Sequence, residues 1–194
     1  MATLKAALPY VLANEGEFSN TAGDAGGETL DGIARRMHPE WPGWAVLDKL
    51  GLPLADPRAA DIIINANVLA VEPLVESFYL QDYWLYDGLA DQAVATKLLD
   101  GAVNMEGNGR CGSAIKALQQ AICKQLAGAV EVDGCYGPAT EAAANRCDAA
   151  RLLQDLALGY VAHYLAILAA HPEDAAFKSD WLERANKLPQ GVTA

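Results

Sequence analysis

Residues 15–33 read Glu15-Gly16-Glu17-Phe18-Ser19-Asn20-Thr21-Ala22-Gly23-Asp24-Ala25-Gly26-Gly27-Glu28-Thr29-Leu30-Asp31-Gly32-Ile33. Ahead of this run, apolar periodicity predicts a helix over 2–14 that delivers the chain to the carboxylate Glu15. A polar, glycine-rich loop follows, carrying a second carboxylate, Asp24, and then the hydroxyl of Thr29. The C-terminal end of a helix is electrostatically the poorer end for a negative charge, so a carboxylate there wants a reason. Hydrolysis of a glycosidic bond takes a protonated acid at the leaving oxygen and a second polar group that handles water or the developing cation. Glu15 suits the first task, and Asp24 with Thr29 the second. Plainer readings stand beside these: Asp24 as a turn former and Thr29 as the N-cap of a following helix.

The rest of the chain supports a globular, helical frame around that run. Its 194 residues are 52% hydrophobic and 20% charged, a balance that allows a substantial core. The Ala- and Leu-rich, aromatic-poor composition favours helices over sheets. A net charge of −11 argues against a nucleic-acid binder, which needs clustered cations to neutralise phosphates. It is also unusual for a protein acting on an anionic polymer, although Arg35 and Arg36 offer local positive charge. Residues 1–14 do not read as a secretory signal. The longest apolar run, 156–170, is broken by Gly159 and His163 and falls short of the ~20 residues of a membrane span.

Helices are expected over 2–14, 27–37, 44–50, 57–79 (with a kink at Pro73), 92–104, 113–126, 138–148, 151–170 and 175–187. The best seam lies at 86–91, dividing the chain into residues 1–90 and 91–187, with no Gly/Ser/Pro linker to separate them. Cys111, Cys123, Cys135 and Cys147 stand twelve apart, which is not a zinc spacing. They permit two disulfides in an oxidising compartment, or serve as small buried apolar residues. The run Gly107-Asn108-Gly109-Arg110-Cys111-Gly112 fits a dinucleotide fingerprint only in letters, because a helix rather than a strand precedes it. His38, His163 and His171 show no metal-ligand spacing.

The 15–33 run, with its continuation Ala34-Arg35-Arg36-Met37-His38-Pro39-Glu40-Trp41-Pro42-Gly43-Trp44, resembles the glycoside hydrolase family 108 N-acetylmuramidases, which are phage-type lysozyme relatives. Glu17 stands where a second glycine is usual, and Leu30-Asp31 replaces a more common Asn/Tyr-containing pair. Three further runs, 98–104, 117–121 and 132–140, resemble the predicted peptidoglycan-binding segment that commonly follows this module. So does Phe177-Lys178-Ser179-Asp180-Trp181-Leu182-Glu183-Arg184, with Asp180 in place of glycine.

The resemblance implies an all-α, lysozyme-like fold of two closely packed lobes with a short hairpin or loop at the active site. Residues 1–90 would be the catalytic lobe and 91–187 a helical peptidoglycan-binding lobe. It implies cleavage of the β-1,4 bond between N-acetylmuramic acid and N-acetylglucosamine. Glu15 would protonate the leaving oxygen, while Asp24 and Thr29 orient water or stabilise the cationic transition state. Glu28, Asn104, Trp84 and Tyr79 are candidates to touch the glycan, although Trp84 and Tyr79 read first as core or lobe-interface aromatics, and neither metal nor organic cofactor is expected. Delivery to the periplasm or wall would rest on a holin or a secretion machine, with an immunity protein as partner if the chain is an antibacterial effector. The rival reading is a peptidoglycan-binding protein without catalysis.

Overall fold

The structure, a computed structural model, describes residues 1–20, 26–53, 56–105 and 110–189. In chain order the elements are α1 (Leu4–Glu15), β1 (Thr29–Leu30), β2 (Ile33–Ala34), α2 (Gly43–Leu50), α3 (Pro57–Ala66) and α4 (Val68–Asp82). They continue with α5 (Gln92–Asn104), α6 (Ser113–Gln125), α7 (Pro138–Ala144), α8 (Ala149–Ala170), a 3-10 turn (Pro172–Phe177) and α9 (Lys178–Asn186). The chain divides into two compact units, one of Val11–Gln81 and one of Met1–Tyr10 with Asp82–Ala194. The division thus falls ahead of the expected 90/91 seam, and the first ten residues join the later unit. Their attachment is specific: Ala2 N donates to Leu89 O and Thr3 N to Gln92 Oε1, each at 2.8 Å.

In the Val11–Gln81 unit the core gathers Val11, Phe18, Leu30, Ile33, Trp41, Trp44, Leu47, Ile64, Val75 and Tyr79. The helix expected over 27–37 is instead an antiparallel hairpin, with Thr29 opposite Ala34 and Leu30 opposite Ile33. The reason is the dipeptide between the strands. Asp31 and Gly32 both hold positive φ, 50° and 79°, the pair that a two-residue type I′ turn demands. The single helix expected over 57–79 is two helices bent by 97°. The break is at Asn67, whose side chain donates to Ile63 O at 2.8 Å and whose backbone N–H bonds Ile64 O. Such side-chain competition for carbonyls disfavours helix continuation. Pro73 lies inside α4 without ending it.

The other unit is organised on α5, which is buried from Ala93 to Ala102 and packs against α6 and α8. Its N-cap, Asp91, accepts from Val94 N at 2.9 Å, and Asp148 caps α8 likewise through Arg151 N. Gly101 is required for this packing, because a Cβ there would collide with the Tyr160 ring and hydroxyl. The Lys97 side chain is fully buried, and its Nζ donates to Arg184 O and Lys187 O, both at 2.8 Å. It thereby binds carbonyls in the last turn of α9 and at its C-cap, where helices leave acceptors exposed. Burial pushes the Lys97 amine down to about 8, against the pull of Asp100. Gln119, 1% exposed, closes the 133–140 turn by donating to Asp133 Oδ1 and accepting from Gly134 N, each at 2.7 Å.

One disulfide, Cys111–Cys135, joins the start of α6 to that turn, while Cys123 and Cys147 are free thiols. The four cysteines therefore make one bridge here, not two. Helix α8 extends beyond the apolar run read from the sequence. Its 22 residues are long and apolar enough to cross a bilayer by length and composition. In this structure α8 packs against α5, α6 and α9, burying Leu152, Leu156, Tyr160 and Tyr164.

Candidate active site

Helix α1 ends at Glu15, and Gly16 with φ 85° turns the chain out of the helix, its N–H bonding Leu12 O at 3.1 Å. A left-handed glycine just past the last helical residue is a common way to stop a helix. Glu15 is left half-buried at the mouth of the loop. Phe18, 4% exposed, anchors the chain, and its N–H donates to Asp61 Oδ1 at 2.8 Å. Ser19 and Thr29 then exchange backbone bonds of 2.8 and 2.9 Å, so Thr29 is held by Ser19 on one side and by β2 on the other. Asp24, expected to share the catalytic work, lies outside the described residues.

Thr29 caps no helix. Its hydroxyl donates to Gly27 O at 3.4 Å, and its backbone belongs to β1. The turn that follows brings the hairpin to Glu15. A Cβ built on Gly32 would stand 3.1 Å from Glu15 Oε2 and 2.9 Å from the Tyr79 hydroxyl. Tyr79 is 1% exposed and donates through that hydroxyl to Asp31 O at 2.7 Å. Its ring packs in the core, so the expected glycan-facing role gives way to one of bracing the turn. Burial pushes the Asp31 carboxyl up to about 6, with the negative charges of Glu17 and Asp61 adding to the effect.

Glu28 pairs with Arg35 Nη1 at 2.6 Å, and the same guanidinium grips both oxygens of Asp48 at 2.8 and 2.7 Å. The hydrogen bonds that the guanidinium donates to Asp48 and Glu28 raise its pKa above the ordinary range, and Arg35 in turn lowers that of Asp48. Glu28 and Asp48 line a surface pocket of about 160 Å³ with Leu47, Gly51 and Leu52. Among the described residues no group of three or more His, Cys, Asp or Glu side chains gathers as metal ligands would.

The remaining two candidates sit in the other unit. Trp84 is 4% exposed, with its Nε1 donating to Asp87 Oδ1 at 2.6 Å; it is a core residue, and its ring offers no open face for a sugar. Asn104, oriented to satisfy its neighbours, accepts from Arg184 Nε and Nη1 at 2.9 and 2.7 Å and donates to Tyr164 Oη at 3.1 Å. Two positions that the sequence reading passed over, Asp31 as a perturbed carboxyl and Gly32 as the residue against Glu15, had a visible signal. An Asp-Gly pair between apolar residues is a strong short-range hairpin mark.

Residues 8–106 match the family described as Glycosyl hydrolase 108, and residues 113–186 match the Predicted Peptidoglycan domain. Among curated proteins none matches the chain. The solved structure of Brucella abortus SagA is similar with a TM-score of 0.56 and 24% identity, over 94% of this chain and 88% of that one. This likeness agrees with an all-α, lysozyme-like fold.

Proposed function

The chain belongs to the glycosyl hydrolase 108 family, and from that premise we propose that it cuts the β-1,4 bond between N-acetylmuramic acid and N-acetylglucosamine with Glu15 as general acid. The coarser part, a glycoside hydrolase acting on peptidoglycan, follows from the family and from the peptidoglycan domain over 113–186. The observation that carries the finer part is the setting of Glu15. It is half-buried at the end of α1, with a side-chain-free residue, Gly32, directly against its carboxyl group.

In this reading Glu15 donates its proton to the glycosidic oxygen as the C–O bond breaks. Asp24 and Thr29 orient the attacking water or stabilise the oxocarbenium-like state. The work takes place in the periplasm or wall, where the glycan is, and the Cys111–Cys135 disulfide suits such an oxidising compartment. Two modes of delivery are compatible with the chemistry, a phage endolysin released by a holin and an exported antibacterial effector. A periplasmic immunity protein that binds and inhibits the enzyme would select the second.

The test is digestion of purified peptidoglycan with mass analysis of the fragments. Muramic acid at the new reducing ends identifies the bond; glucosamine there rejects it. Glu15→Gln should lower turnover about 10²–10⁴-fold, the usual worth of a general acid. A fully active Glu15→Gln variant would remove Glu15 from the chemistry. Glycan binding without any turnover by the wild type would favour the non-catalytic reading instead.

A further inference from the structure

Three elements of the Val11–Gln81 unit meet at one residue without a side chain. Around Gly32 a Cβ would stand 2.9 Å from Tyr79 Oη, 3.0 Å from Glu15 Cγ and 3.1 Å from Glu15 Oε2. The end of α1, the hairpin turn and α4 are therefore packed to contact there. The buried Tyr79 hydroxyl of α4 donates to Asp31 O of the turn at 2.7 Å. The backbone angles of Asp31 and Gly32 shape the turn internally, while the Tyr79 bond reaches it from another element.

Resting on the assignment of Glu15 as the acid, we propose that Tyr79 is a positioning residue for it. By fixing the Asp31 carbonyl, the hydroxyl sets the Gly32 backbone against the Glu15 carboxyl group and limits where that group can stand. A general acid works only within hydrogen-bond reach of the leaving oxygen, and displacing a reacting group by about 1 Å can cost on the order of 10²-fold. Positioning acts on the chemical step, so its loss appears in kcat rather than in KM.

Tyr79→Phe removes the hydroxyl and little else. On soluble uncrosslinked glycan strands we expect kcat to fall about tenfold or more, with KM changed less than about twofold. Tyr160→Phe is the control. It deletes a bond of the same kind, Tyr160 Oη to Lys97 O at 3.1 Å, in the other unit, and should lose stability while keeping kcat. Gly32→Ala provides a second route if Tyr79→Phe fails to fold, because it keeps the hydroxyl and forces a methyl group between it and Glu15. Wild-type kcat in Tyr79→Phe, or in Gly32→Ala where that is the variant that folds, overturns the proposal. So does a loss in Tyr79→Phe no larger than that in Tyr160→Phe. Glu15→Gln separates the two levels. If it stays fully active, the assignment of the acid fails; if it is inactive while Tyr79→Phe is normal, only the positioning role fails.

Discussion

Arg184 Nη2 stands 2.9 Å from Asp100 Oδ1, and Arg184 Nε donates to the same oxygen at 3.0 Å, across eighty-four positions of chain. This pair joins the run 98–104 to the run ending at Arg184. Asp100 is 2% exposed, with Lys97 Nζ 3.7 Å away on the same helix. Arg184→Ala should therefore destabilise by about 3–5 kcal/mol, the usual cost of stranding one member of a buried pair. Urea unfolding measures it, and a loss below about 1 kcal/mol would contradict a buried, mutually dependent pair.

Asp31 offers a test by pH. Its carboxyl is raised from 3.8 to about 6. Between those values the folded chain holds a proton that the unfolded chain has released, so this group's contribution to stability is lost as pH rises through the window. Asp31→Asn removes the charge and keeps a residue that accepts positive φ. The variant should be more stable than wild type at pH 7 by on the order of 1 kcal/mol, a figure reduced for partial exposure. Near pH 3.5 the two should be level. A difference that does not vary with pH would show that the carboxyl is unperturbed.

Alkylation and intact mass under non-reducing conditions should find one disulfide and two free thiols. Reduction should cost about 3 kcal/mol, as expected for closing a loop of this size, since the bonded cysteines are 24 residues apart. Two disulfides in the oxidised protein would mean that Cys123 and Cys147 pair with each other.

Gly101→Ala should destabilise by about 1–3 kcal/mol, as overpacking of a tight core does, because the added methyl group meets Tyr160. Ordinary helix propensity points the other way, favouring alanine over glycine by about 1 kcal/mol. The sign of the change in melting temperature decides between the two effects.

The helices that carry long apolar periodicity were legible to within a few residues. The expected 92–104 is α5 to the residue, and 113–126 overshoots α6 by one. Reading failed where a short polar side chain or a pair of dihedral angles outweighs periodicity. Asn67 breaks a run that looks continuous, and Asp31-Gly32 turns a window with helical spacing into a hairpin. At the candidate site, the place of Glu15 at the end of α1 was legible from the apolar run ahead of it. The core reading of Tyr79 and Trp84 agrees with their burial, whereas a glycan-facing role could not be told from it by sequence, because an aromatic side chain suits a sugar face and a core alike.

Two contacts of the Asp31-Gly32 turn differ greatly in the length of chain they close. The hairpin joins residues a few positions apart, and hairpins of this kind form in ~1–10 µs. The bond to Tyr79 spans 48 positions, so its larger loop-closure cost must be met before α4 can dock. Assembly of the acid's surroundings is thus completed from downstream. A ribosome that has made the whole 15–33 run has made the hairpin's sequence but not yet the residue that holds the hairpin in place.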